Sequence, residues 1–359
     1  MKNLLIHLSL LEGIGPAAIT AIINYASAYA EQDIYLFSSA DFIQAGLSQA
    51  LAATVVSGLQ NTALLDRELE LADRNQITIL TILDEAYPSL LKQIYLPPAV
   101  LYIQGTVPSR ISLAVVGSRK ASSYAVQAIE RLLPPLIDAG WIITSGGAIG
   151  VDTSAHRLTV QKNGITIAVL GSGLLRLYPR ENKKLFEDIV AMGGALVSPF
   201  SLHVEPLPGN FPARNRIIAG LSVGCLVVQA ARKSGARITA QYALEQGKEV
   251  FAVPGHLNDP LQEGCHELIQ QGAKLVIRAA DIANECAAQR PLILSNDDAE
   301  PTRSQPLSDP LLSLCKNPAS FEDILHNSNL SCVALQEKLF YLQLDGKIEQ
   351  NFAGLWQAL

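Results

Sequence analysis

What the chain has little of narrows it first. Its five cysteines, Cys225, Cys265, Cys286, Cys315 and Cys332, are odd in number and form no Cys-x-x-Cys pair. That excludes a disulfide framework and a thiolate zinc site, and leaves reduced, mostly buried thiols. No apolar run is long enough to cross a bilayer, and the short one at the start is broken by Glu12 and Gly13. Neither a secretory leader nor a membrane span is expected, and the chain reads as cytoplasmic. Charged residues make up only 17% against 49% hydrophobic, too apolar for a disordered chain and enough for two or three packed domains. Aromatics are scarce as well, at 6%, so recognition of a flat ligand rests more on charge than on stacking.

Positive charge is in deficit, 27 Lys and Arg against 33 Asp and Glu, but the deficit is uneven. Residues 1–104 hold four cations and ten anions, residues 105–290 hold 19 and 14, and residues 291–359 hold four and nine. A basic middle between acidic ends is what a chain needs if its middle alone meets a polyanion.

The period of the apolar residues divides the chain. Over residues 1–80 it is helical: Leu4, Leu5, Leu8 and Leu11, a Gly13-Ile14-Gly15-Pro16 turn, then helices over Ala17–Tyr29, Ala40–Leu59 and Thr62–Asn75. The glycine turn resembles a helix–hairpin–helix of a SAM-like domain; its acidic surroundings point to an accessory role. Over residues 81–287 short Val- and Ile-rich runs alternate with helical patterns. Strands are expected at Ser112–Val116, Trp141–Ser145, Thr166–Leu170, Ala195–Ser198, Gly224–Gln229, Glu249–Val253 and Lys274–Ile277. Helices are expected at Tyr124–Asp138, Asp152–Lys162, Glu181–Met192, Arg214–Leu221, Arg237–Gln246 and Glu263–Gln271. Such alternation predicts an extended Rossmann-like α/β core, a parallel sheet with helices on both faces. Residues 288–306 read as a linker. Residues 307–359 suggest a winged helix: a capping box from Ser320 to Asp323, a second cap at Ser331, and a hairpin over Lys347–Leu359 around Ala353-Gly354. Its third helix offers only Lys338 as a cation, which favours protein contact over duplex reading.

Five strand ends carry residues suited to an anion. Gly117-Ser118-Arg119 follows the first core strand, with glycine for close approach and arginine at a helix mouth; an ordinary turn fits the same residues. Ser145-Gly146-Gly147-Ala148-Ile149-Gly150 is dense enough in glycine to cradle phosphate with bare N–H groups. It is neither a Walker loop nor a G-x-G-x-x-G. Asp152 and His156 behind it have metal-ligand spacing, but a cap plus a buried histidine fits better without a third ligand. Gly171-Ser172-Gly173 leads to Tyr178-Pro179-Arg180, an aromatic beside a cation. Phe211-Pro212-Ala213-Arg214-Asn215-Arg216 opens a helix with cations that oppose its dipole, an arrangement that favours a bound anion, and Lys233-Ser234-Gly235-Ala236-Arg237 repeats it. No convergent nucleophile, base and carboxylate accompany these sites, so no catalytic residue, metal or cofactor is assigned.

These residues in this order resemble the DNA-processing protein A family (DprA, also called Smf). Beside those motifs, the run Arg216-Ile217-Ile218-Ala219-Gly220-Leu221-Ser222, Val253-Pro254-Gly255 and Gly264-Cys265 carry the likeness, with Tyr87-Pro88 and Leu96-Pro97-Pro98 upstream. The resemblance implies a recombination mediator that is not an enzyme. Such a protein binds and protects incoming single-stranded DNA in natural transformation, helps load the RecA recombinase, and dimerises through its Rossmann core without a cofactor. It carries a basic pocket over to Arg119, Arg180, Phe211, Arg214 and Lys233. Gly117, Ser118, Gly146, Gly147, Asn215, Arg216, Ser234, Gly235 and Arg237 complete the expected DNA-facing set. Gln229 stands where the family has Glu, Ala236-Arg237 replaces Ser-Leu, His266 replaces Asn, and Pro199 replaces an acidic residue. The main alternative is an enzyme. The core also resembles, more distantly, Rossmann proteins that hydrolyse nucleoside monophosphates, but the catalytic Glu after their glycine loop is missing here.

Overall fold

A computed structural model describes residues 1–286 and, beyond them, 311, 314–315, 319–328, 330, 335, 338–339, 342, 348–350 and 355–358. The expected linker, Cys332, the cap at Ser331 and the Ala353-Gly354 turn lie outside the described residues. The chain separates into two compact units, Met1–Asp297 and Asp298–Leu359.

The first unit opens with α1 (Lys2–Ser9), α2 (Pro16–Tyr25), α3 (Glu31–Ile34), α4 (Ser39–Gln44), α5 (Gln49–Leu59) and α6 (Thr62–Arg74). Gly13, at φ +77°, turns the chain between α1 and α2, and Pro16 sits at the start of α2, where its missing N–H costs nothing. The helix expected over Ala40–Leu59 is broken in two. Gly46 takes φ +98°, and the Ser48 hydroxyl then caps α5 by accepting from the Leu51 N–H.

The chain then builds β1 (Ile77–Thr81), α7 (Ser89–Lys92), β2 (Val100–Gly105), β3 (Ser112–Gly117), α8 (Ser123–Asp138), β4 (Ile142–Ser145), α9 (Val151–Gln161) and β5 (Thr166–Val169). It continues through α10 (Lys183–Ala191), β6 (Ala195–Ser198), α11 (Asn210–Gly220), β7 (Gly224–Gln229), α12 (Gly235–Glu245), β8 (Glu249–Ala252), α13 (Glu263–Gln270), β9 (Lys274–Leu275) and α14 (Ala279–Cys286). The sheet order is β1-β2-β6-β5-β4-β3-β7-β8-β9. From β6 to β9 neighbouring strands run parallel, as the alternating pattern predicts. The sheet is nevertheless mixed: β1 and β2, which the sequence reading passed over, add to the β6 edge as antiparallel strands.

Helices α8, α9 and α14 cover one face around Leu113, Ile129, Leu133 and Phe251. Helices α7, α11, α12 and α13 cover the other around Ile217, Ile218, Ala240 and Leu268. The opening helices share a core with the β6 side of the sheet, where Leu4, Ile22 and Phe42 belong to one cluster with Tyr102, Leu185 and Phe186. Buried Glu68 of α6 fastens this region further by accepting from the Leu202 N–H at 2.8 Å. Positions 80 and 81, where the sequence reading parts two domains, fall inside β1.

In the second unit, α15 (Phe321–Ser328) begins at the expected capping box. The Ser320 hydroxyl donates to Asp323 at 2.6 Å and accepts from the Asp323 N–H at 3.1 Å. β10 (Ile348–Gln350) and β11 (Trp356–Ala358) pair antiparallel, and Leu311, Cys315, Ile324, Leu335, Leu339 and Ile348 form its core.

Candidate functional site

Strand β3 leads on to β4 on one side, while β7 leads on to β8 on the other. Between such diverging connections a parallel sheet opens a crevice at its carboxyl edge. Here it is a cavity of about 680 Å³, walled by Ser118, Arg119 and Lys120 after β3, by Phe211 and Asn215 of α11, and by Lys233 after β7.

The β3 turn is held in place by β7. A Cβ at Gly117 would come within 2.6 Å of Val151, so only glycine lets the turn lie against α9. The Ser118 N–H donates to the Gln229 carbonyl at 2.7 Å. Buried Gln229 accepts from the Ser122 N–H at 3.0 Å and donates to its hydroxyl at 2.8 Å, while that hydroxyl caps α8. An amide can do both where a carboxylate can only accept. Arg119 and Lys120 are exposed at the tip. Neither makes an ion pair among the described residues; the Arg119 guanidinium lies 5.3 Å from the centre of the Phe211 ring.

Arg214 is a correction to the sequence reading. Helix α11 starts at Asn210, four residues earlier than expected, so Arg214 sits in its second turn and not at its mouth. It is 4% exposed. Its guanidinium donates to the Gly146 and Val169 carbonyls, at the carboxyl ends of β4 and β5, and lies 5.9 Å from the Phe211 ring centre. Burial lowers its pKa to about 10, partly offset by the Asp152 carboxylate, so it stays charged at neutral pH. Phe211 is therefore held between an inner guanidinium and an outer one. Gly171 leaves room for the ring, since a Cβ there would come within 2.9 Å of it. Tyr178 is 46% exposed and lies 5.9 Å away, centre to centre, as a second ring at the rim.

The glycine loop after β4 is also built differently from expectation. A Cβ on Gly146 would meet the Arg214 guanidinium at 2.6 Å, and one on Gly147 would meet Phe186 at 2.8 Å. The loop's N–H groups turn inward: those of Gly146 and Ala148 donate to one oxygen of Asp152, at 3.2 and 3.3 Å. Burial pushes the Asp152 pKa up, with Arg214 opposing the shift. His156 is fully buried. Because Thr166 spends its proton on the Ile143 carbonyl, His156 Nδ1 is the donor to the Thr166 oxygen at 2.7 Å, and Nε2 is left without a partner. Burial, aided by Arg214, lowers its pKa to about 3. Asp152 is thus a local acceptor and His156 a neutral core residue, the bland side of the choice the sequence left open. Ser145 donates to the Val115 carbonyl at 2.6 Å.

The other expected residues divide. Ser234 caps α12 and, with Gly235, lines the cavity. Arg180 lies in a neighbouring cleft of about 760 Å³ with Arg176, Lys183 and Asn75, and Tyr178 and Pro206 wall both clefts. Arg216 points away and donates to the Leu96 carbonyl. Arg237 pairs with Glu267 at 2.7 Å and donates to the Arg232 carbonyl at 2.6 Å. Lys120 and Lys183 were missed; a lysine directly after Arg119 and one three residues after Arg180 were the available signals. Among the described residues no helix is long and apolar enough to span a membrane, and no His, Cys, Asp and Glu cluster fits a metal.

The family model described as DNA recombination-mediator protein A matches residues 78–287. The chain is 39% identical over 239 residues to the DNA processing protein DprA of Streptococcus pneumoniae, covering 64% of this chain and 84% of that one. Its crystal structure aligns with a TM-score of 0.69 at 34% identity, over 79% of this chain and 97% of the other. Protein Smf of Escherichia coli is 48% identical over 200 residues, 55% of this chain and about half (54%) of Smf. A structure of DNA processing protein A from Helicobacter pylori, described for its single-stranded DNA binding mode, aligns with a TM-score of 0.53 at 30% identity over 60% of this chain and 97% of that one.

Proposed function

The chain belongs to the DprA/Smf family of DNA recombination-mediator proteins, and from that premise we propose that the cavity between β3 and β7 holds single-stranded DNA. One observation carries the reading. Arg119, Lys120 and Lys233 are exposed around Phe211 at the crevice, and none has a carboxylate partner among the described residues. Unpaired cations take phosphates without regard to sequence, and the half-buried Phe211 ring offers an aromatic surface on which an unpaired base can stack. Gly117, Ser118, Asn215, Ser234 and Gly235 shape the wall. Arg214, Gly146 and Gly147 support it from behind, and Arg180 serves the adjoining cleft.

In this reading the protein is a cytoplasmic mediator and not an enzyme. It protects incoming DNA in transformation, acts as a homodimer through its core, and hands the strand to RecA. Fluorescence anisotropy with single- and double-stranded oligonucleotides across a salt series tests the first step. Tight single-strand binding that weakens steeply with salt is expected. Equal affinity for duplex, or turnover of nucleoside monophosphates, moves the enzyme alternative to first place. Strand exchange by RecA on DNA coated with a single-strand-binding protein tests the second; no acceleration on adding this protein removes the loading role.

A further inference from the structure

The loop Gly146–Gly150 has the parts of a phosphate cradle, and the chain fills it with its own carboxylate. Gly147 and Gly150 hold φ of +67° and +98°, which favour glycine, and the N–H groups on either side of Gly147, those of Gly146 and Ala148, converge on one point. The amino end of the eleven-residue α9 adds its partial positive charge, and the buried Arg214 guanidinium lies behind. At the focus of these groups the Gly146 and Ala148 N–H groups meet a single oxygen of Asp152. Asp152 is not sealed off. Although only 7% exposed, it stands with Ala148 in the wall of the cavity beside Arg119 and Phe211.

We propose that Asp152 is a specificity-determining residue: a built-in anion that keeps the terminal phosphate of a mononucleotide out of the loop and leaves only the outer cations for ligand phosphates. The inference rests on the single-strand reading of the cavity. A nucleotide-binding Rossmann site anchors one phosphate at its glycine loop, and the rest of the ligand hangs from that anchor. With the anchor occupied, a lone nucleotide has only the rim, where each contact is weak. A polymer offers many phosphates to the same rim and gains by their number. The site therefore discriminates by length without any contact to a chain end.

The test is calorimetric titration of the full chain with adenosine monophosphate, with anisotropy on a single-stranded oligonucleotide alongside. Wild type is expected to bind the oligonucleotide and show no saturable uptake of the nucleotide at millimolar concentration. Asp152→Ser vacates the cradle and is expected to bind the nucleotide about tenfold or more tighter than wild type. That gain should survive in an Arg119→Ala background, because it comes from the inner loop. If wild type binds no oligonucleotide, the single-strand reading fails. If it does bind, but the serine variant melts like wild type and takes up the nucleotide no better, the role of Asp152 is overturned. Should the serine variant not fold, Asp152→Asn decides, since it removes the charge and keeps an acceptor oxygen. Its oligonucleotide affinity is expected to rise about threefold with a steeper salt dependence, and unchanged or weaker affinity refutes the proposal.

Discussion

The two clefts at the carboxyl edge share the walls Tyr178 and Pro206 but are built differently. The first stands on strand ends. Its turn is tied to β7 through Gln229, and its ring lies over a guanidinium that itself grips β4 and β5. The second is lined by the segment between β5 and α10, and its Arg176 is paired with Glu205 at 3.1 Å. Arg180 and Lys183 there are exposed and free of ion pairs among the described residues. The difference teaches that cation number alone does not rank the clefts. The first joins cations to a fixed aromatic ring, while the second offers charge without a ring of its own beyond Tyr178.

If that ranking is right, Arg119→Glu has the largest effect, a loss of about 100-fold in single-strand affinity with an unchanged melting temperature, read by anisotropy and calorimetry. Near-normal affinity would place the primary contact elsewhere. Next comes Phe211→Ala, about tenfold weaker, with a salt slope close to wild type because a stacking contact and not a charge is lost. A large drop in slope would show that the ring acts only by steering Arg119. Replacing both Arg180 and Lys183 by Ala should cost about threefold on long oligonucleotides and almost nothing on very short ones, and lower the salt slope by about 1.4. An equal loss at every length would merge the two clefts into one site.

The smallest effect near neutrality is one of stability and belongs to the first cleft's support. His156, neutral in the fold and lowered to about 3, binds its proton more readily in the unfolded chain. Its contribution is therefore complete above the ordinary histidine value near 6.5 and is lost as pH falls from there toward 3, at up to about 1.4 kcal/mol per pH unit. Chemical denaturation from pH 7 to 4 should show this slope in wild type and a shallower one in His156→Gln. Parallel slopes would mean that His156 is not buried as described.

The parallel strands were legible because each is a run of apolar residues set between helical patterns, from Ser112 to Lys274. β1 and β2 were not. Ile77-Thr78-Ile79-Leu80-Thr81 does carry strand-forming residues, but it lies outside the alternation of strands and helices that marks the core, directly behind the helix expected to end at Asn75, and only pairing with β2 settles it. The site shows the same divide. The place of Arg119 at the cavity was readable because its neighbours in sequence, Gly117 and Ser118, line the cavity with it. Arg214 was misread because its partners, Gly146 and Val169, come from other strands. Arg237 finds Glu267 thirty positions away, a pairing that no local pattern announces.

The antiparallel pair β1–β2 has a consequence for handling this protein. By hydrogen-bonding along β6, β2 covers what would otherwise be an open margin of the parallel sheet, and β1 then takes the outermost place. A chain shortened to begin at Ser112 keeps every residue of the first cleft, yet it bares the backbone of β6 to any passing strand. Such a fragment is expected to assemble beyond a dimer at concentrations where the whole chain does not.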